Sequence, residues 1–114
     1  MQLVSEHQDE TLVIRVAEAR IDAAAAVDFK DAMRTATQGA AGRIVLDLSE
    51  VSMVDSSGLG AIVAVMKQLG TETPLELAGL TRNVAAVFRL TRMDTVMRIH
   101  DDLDAALAVT GPVR

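Results

Sequence analysis

The chain has 114 residues, no cysteine, a formal net charge of −5, and only two aromatic residues, Phe29 and Phe88, although half of its composition is apolar. This length suits one domain that buries roughly two-thirds of its unfolded surface without disulfides or a structural metal. The acidic balance and scattered Lys and Arg argue against a nucleic-acid backbone as ligand, and the scarcity of aromatics argues against stacking on bases or sugars. An uncharged or basic partner surface fits better.

No apolar run approaches ~18 residues and no signal-like segment follows a basic start, so a reducing, cytoplasmic setting without membrane insertion is expected. Along the chain, Leu3 to Glu6 and Thr11 to Val16 are strand candidates joined by the polar link His7-Gln8-Asp9-Glu10, which together predict a hairpin. Asp22 is a candidate N-cap for a helix over Ala23 to Thr37, with Ala26, Phe29, Met33 and Ala36 on one face and Gly39 as its stop. Ile44 to Leu48 is short and branched, as a buried strand is, and a helix follows from about Ser57 to Leu69, closed by Gly70. Pro74 to Ala78 is a further strand. Thr81 is placed to cap a third helix carrying Val84, Val87 and Phe88, and Val96 to Ile99 reads as a short strand. Asp101 or Asp102 opens a last helix with Leu103, Ala106 and Leu107, its acidic residues at the positive end. This alternation predicts a single α/β domain over residues 1–114, with a mixed, mainly parallel sheet of about four to five strands and about four helices. Its core spans about residues 2–109, and the tail 110–114 is expected to fray.

The helix after Ile44 to Leu48 carries the most specific signal. At about 100° per residue, Leu59, Ile62, Val63, Val65, Met66 and Leu69 fall in one apolar sector, leaving Gly60, Ala61, Ala64, Lys67 and Gln68 on the other side. Such a smooth, weakly charged side permits close approach of another protein, although small residues also pack inside domains. Ahead of it stand Asp55, Ser56 and Ser57, all of them N-cap residue types, and capping does not need both serines. The reciprocal capping box is missing, because Leu59 and Gly60 occupy the positions where Glu or Gln would stand. A phosphate on Ser56 would meet the free amides and positive end of the helix, adding nearly two negative charges beside the smooth side without unfolding the domain.

Asp55-Ser56-Ser57-Gly58-Leu59-Gly60, after the strand Ile44 to Leu48 and before an apolar helix, resembles the signature of bacterial anti-sigma-factor antagonists of the STAS domain family. Arg20-Ile21-Asp22 resembles the family's Leu-Asp step, Val84 to Thr91 resembles its third helix, and residues 2 to 109 can be laid on its order of elements. The resemblance implies a single STAS-like domain that binds an anti-sigma factor which is also a serine kinase with a histidine-kinase-like ATPase fold. Phosphorylation then breaks the complex and a serine phosphatase restores it. By motif position the phosphorylated residue is Ser56, with Ser57 as the secondary candidate. Asp22 matches an acidic residue near the phosphosite. The implied partner-binding set is Asp22, Asp55, Ser56, Ser57, Gly58, Gly60, Ala61, Ala64, Lys67 and Gln68. The kinase supplies ATP and Mg²⁺, so no cofactor or metal of the chain's own is implied. The chain departs from the family pattern at Ala19 and Arg92, where members often have Gly; Arg92 removes an easy left-handed helix stop.

Other functional classes find less support. His7 lies in the opening turn and His100 at the start of the last helix, and no Gly-x-Ser-x-Gly elbow surrounds Ser56, which disfavours nucleophilic catalysis. Gly58-Leu59-Gly60 lacks the spacing of a nucleotide loop, and Asp101, Asp102 and Asp104 beside His100 read as an acidic first helical turn rather than as metal ligands. The alternative that remains is a noncatalytic STAS docking subunit of a transporter or signalling assembly, using the same helix side without a phosphoswitch.

Overall fold

The computed structural model describes residues 1–109, so the expectation for the tail 110–114 lies outside the described residues. The elements run β1 (Leu3–Gln8), β2 (Thr11–Val16), β3 (Arg20–Ile21), α1 (Ala26–Ala36), β4 (Ile44–Asp47), β5 (Met53–Val54), α2 (Ser56–Leu69), β6 (Leu75–Ala78), α3 (Arg82–Leu90), β7 (Ile99–His100) and α4 (Leu103–Ala108). A short 3-10 turn, Met93–Thr95, precedes β7. Five strands form a sheet ordered β1-β2-β4-β6-β7, in which β1 is antiparallel to β2 and the remaining pairs are parallel. The expected mixed, mainly parallel sheet with four helices is therefore present. A second sheet, in which Arg20 and Ile21 pair in parallel with Met53 and Val54, was not expected, because two-residue strands are too short to carry a periodic signal.

The alternation of β2 and β4 separates two cores. On one face Leu12, Ile14, Val16, Ile44 and Leu46 meet Phe29 and Met33 of α1, Ile62 and Val65 of α2, and Val84 and Phe88 of α3. Each such side chain stabilises the fold by roughly 1.5–3 kcal/mol through burial. The opposite face is thinner: Val45 and Ala78 pack against Ala106 of α4, with Leu103 at the margin. There a polar clamp supplements the apolar contacts. Glu76 Oε1 accepts from Arg43 Nε at 3.1 Å and contacts His100 Nε2 at 2.7 Å, while Arg43 donates to the Ala106 carbonyl and, at 3.0 Å, to that of Val109. The guanidinium thus satisfies carbonyls left open where α4 ends.

Several boundaries differ from the sequence reading for local reasons. β1 continues through His7 and Gln8, so the hairpin link is only Asp9-Glu10, with Asp9 at φ 56°. This positive φ at the first turn residue fits a two-residue hairpin loop. Asp22 does not cap α1; its Oδ1 and its carbonyl both accept from the Ala25 amide, which closes a separate turn and delays the helix to Ala26. Gly39 also lies beyond the end of α1, whose C-cap is Thr37. Thr81 stands at the N-cap of α3 but donates its hydroxyl to the Val51 carbonyl at 2.8 Å, tying α3 to the β4–β5 connection. Val96 and Met97 are not strand residues, because their amides both return to the Met93 carbonyl; pairing with β6 starts when the Leu77 amide donates to Arg98. Among the described residues no helix is long and apolar enough to cross a membrane.

Arg92 takes the left-handed conformation, φ 60° and ψ 21°, that Gly would adopt freely. Replacing it by Gly is expected to raise stability by about 1 kcal/mol, seen as a higher urea midpoint at unchanged slope; a lower midpoint would show that the arginine side chain contributes more than its backbone costs.

Candidate functional site

Ser56 begins α2 where the small sheet hands over to the helix. Asp55 precedes it in extended conformation and is the N-cap: its Oδ1 accepts from the Gly58 amide at 2.9 Å. The second carboxylate oxygen, Oδ2, accepts from the Ala23 amide at 3.1 Å, so one side chain joins the start of α2 to the turn after β3. Asp22 sits half-buried in that same turn. The β3–β5 pairing continues this union through the Asp55 amide, 3.4 Å from the Ile21 carbonyl, and through Ser52, whose amide and hydroxyl both donate to the Ala19 carbonyl.

Gly58 explains why the two pieces come so close. A Cβ built there would lie 1.8 Å from the Ile21 carbonyl oxygen, an overlap with main chain that no rotamer change relieves. Gly58 and Ala61 are both buried, so neither Gly58, expected in the partner-binding set from the motif, nor Ala61, expected there from the helical wheel as well, is exposed to a partner. The wheel assumed one packing layer, whereas α2 packs on β3, β5 and α1. Its buried arc is accordingly rotated toward Gly58, Ala61, Ile62 and Val65, leaving Leu59, Val63, Met66 and Leu69 half-buried. Ser56, Ser57, Gly60, Ala64, Lys67 and Gln68 are exposed, and nothing lies within 4 Å of a Cβ built on Gly60.

The structure adds one residue to this region that sequence reading passed over. Val27, in the first turn of α1 and four residues beyond the Asp55-bonded Ala23, is 62% exposed. Its position on the helix opposite Phe29 and Met33 was an available signal, since an apolar residue on an otherwise polar face is a candidate contact.

An exposed serine at a helix start, beside a helix side of small and polar residues, lies at the edge of a small parallel pairing that accompanies a mixed five-stranded sheet. The chain belongs to the STAS domain family, whose model matches residues 2–106. Its fold is that of the anti-sigma factor antagonists. An anti-sigma factor antagonist from Mycobacterium paratuberculosis is 26% identical with a TM-score of 0.83, over 94% of this chain and 91% of that one. The anti-sigma factor antagonist SpoIIAA in its unphosphorylated form is 27% identical with a TM-score of 0.73, over 99% of this chain and 100% of that one. The fold also recurs within the murine anion transporter Solute Carrier 26 family member A9, with a TM-score of 0.79 at 13% identity, over 90% of this chain and 18% of that one.

The assignment of the cap separates the three hydroxyl and carboxylate neighbours by their cost. Asp55→Ala is expected to lower stability by about 1–2 kcal/mol, whereas Ser56→Ala and Ser57→Ala each stay within about 0.5 kcal/mol, measured by chemical denaturation. Equal losses at Asp55 and Ser56 would mean that the serine shares the cap.

Proposed function

We propose that this chain is an anti-sigma-factor antagonist that works by partner switching. Unmodified, it binds an anti-sigma factor that is also a serine kinase with a histidine-kinase-like ATPase fold; phosphorylation at Ser56 releases that partner, and a serine phosphatase restores binding. The chain acts by being bound and modified, with ATP and Mg²⁺ brought by the kinase. In the modifying step Ser56 Oγ bonds to the γ-phosphorus of ATP, ADP leaves, and the hydroxyl proton passes to a base of the kinase.

The observation that carries this reading is the division of labour at the start of α2. Asp55 holds the cap, so the exposed Ser56 hydroxyl is free of structural duty at the first residue of the helix. A phosphate placed there gains from the helix's partial positive charge, typically 0.3–1 kcal/mol, so the fold tolerates it. An interface closed over Gly60, Ala64, Lys67 and Gln68 would not, because nearly two charges would have to be desolvated against the partner. Val27 extends the same contact region along α1, and Asp22 and Asp55 hold the turn between β3 and α1 in place. Further support comes from Bacillus SpoIIAA, which is known in both an unphosphorylated and a phosphorylated form and is 25% identical to this chain in the latter.

Capture from lysate of the source cell with immobilised unmodified and Ser56-phosphorylated protein tests the reading. A histidine-kinase-like ATPase is expected to be retained by the unmodified form and released by the modified one, whereas equal retention of a transporter or scaffold by both forms would replace the switch with plain docking. Against the captured kinase, Ser56→Ala is expected to bind as wild type does and to resist release, while Ser56→Glu binds at least about tenfold more weakly. Ala64→Arg is expected to weaken binding by more than about 2 kcal/mol while shifting stability by less than about 0.5 kcal/mol, checked by calorimetry and thermal denaturation. Unfolding of that variant would disprove the placement of the outward side.

A further inference from the structure

β1 is the outermost strand of the sheet and uses only its inner edge. Its register with β2 runs without interruption from Leu3 opposite Val16 to Gln8 opposite Thr11, so no bulge turns the strand away. The Ala17 amide donates to the Gln2 carbonyl at 2.9 Å, which sets the phase of the ladder. Main-chain groups of Val4, Glu6 and Gln8 therefore point toward β2, and those of Leu3, Ser5 and His7 point outward. Among the described residues no strand pairs with that outer edge.

Sheet edges are ordinarily blunted by Lys, Pro, bulges or shortness. The opposite edge follows this rule, because β7 has only two residues. β1 has six residues, no Lys or Pro, and five of the six are exposed. Val4, 40% exposed, is the exposed large hydrophobic residue carried on a strand among the described residues.

We propose that β1 pairs antiparallel with β1 of a second copy of this chain, about a two-fold axis at Ser5, joining two five-stranded sheets into one. Few two-fold registers satisfy the outward groups. With the axis at Ser5, Leu3 lies opposite the second copy's His7, Ser5 opposite Ser5, and Val4 opposite Glu6. All three outward N–H groups and all three outward carbonyls of each strand then find partners. Moving the axis to Glu6 sets two carboxylates directly opposite each other, which is destabilising, and moving it to Val4 leaves His7 opposite Met1, outside the strand. The self-complementary register, free of like-charge pairs, favours a second copy over a foreign strand. β1 shares no residue with the Ser56 turn, so this inference stands or falls independently of the phosphoswitch.

Sedimentation equilibrium of the full chain at rising concentration is the test, with a mass increasing from one chain to two expected. Ser5→Pro removes an outward N–H while sparing the β1–β2 ladder, and is expected to weaken the dimer about tenfold or more at a near-unchanged melting temperature. Val4→Glu and Val4→Lys give a readout that a merely structural role would not. Facing Glu6 of the second copy, the first is expected to weaken and the second to tighten association, each by about threefold. If Ser5→Pro fails to fold, the opposite signs at Val4 still decide. A chain that stays monomeric throughout, a dimer unaffected by a folded Ser5→Pro variant, or equal shifts for both Val4 variants would overturn the proposal.

Discussion

The arrangement around Ser56 depends on one main-chain oxygen, the carbonyl of Ile21. It lies 3.4 Å from the Asp55 amide and leaves so little room at Gly58 that no side chain fits. Because β3 ends at Ile21 and α2 begins one residue after Asp55, this contact fixes where the helix starts relative to the turn leading to α1. Ile62 and Val65 then carry that placement into the core beneath. The small β3–β5 sheet is thus a short brace of two-residue strands whose effect extends well beyond its length.

Asp55 completes the brace with charge rather than shape. Its two carboxylate oxygens serve two amides on separate segments, Gly58 and Ala23. A hydrogen bond to a charged acceptor is stronger than one to a neutral acceptor, which favours a carboxylate at this junction. The start of α2 is thus fixed by a buried glycine and an occupied carboxylate, and Ser56, exposed at the first residue of the helix, is not the cap. A chain in which Ser56 itself capped α2 would alter its own scaffold on being modified.

Much of this architecture was legible from residue order. The branched run at Ile44 to Leu48, the period change after Asp55, Gly70 as a stop at φ 76°, and Asp102 as the cap of α4 all act locally, through spacing and cap chemistry that need no distant partner. What escaped reading depends on contacts far apart in sequence. Ala61 looks like an outward small residue until β3, β5 and α1 enclose it, and the Thr81 hydroxyl looks like a cap until the Val51 carbonyl competes for it. Asp22 illustrates the same competition at short range, because its carboxylate accepts from the Ala25 amide in a separate turn instead of capping α1. Arg92 is the reverse case, where the expected geometry survives in a residue poorly suited to it.

The two faces of the sheet differ in what binds them, and this gives the molecule two levels of cooperativity. The α1, α2 and α3 face is a continuous apolar cluster, so its parts open together. The α4 face has a small cluster of Val45, Ala78 and Ala106 and a clamp in which one oxygen of Glu76 serves both Arg43 and His100. Loss of that single acceptor releases the guanidinium that holds the α4 carbonyls. The last helix therefore rests on a smaller apolar contact than α1, α2 and α3 do, and its seating leans on a polar acceptor that those helices do not share.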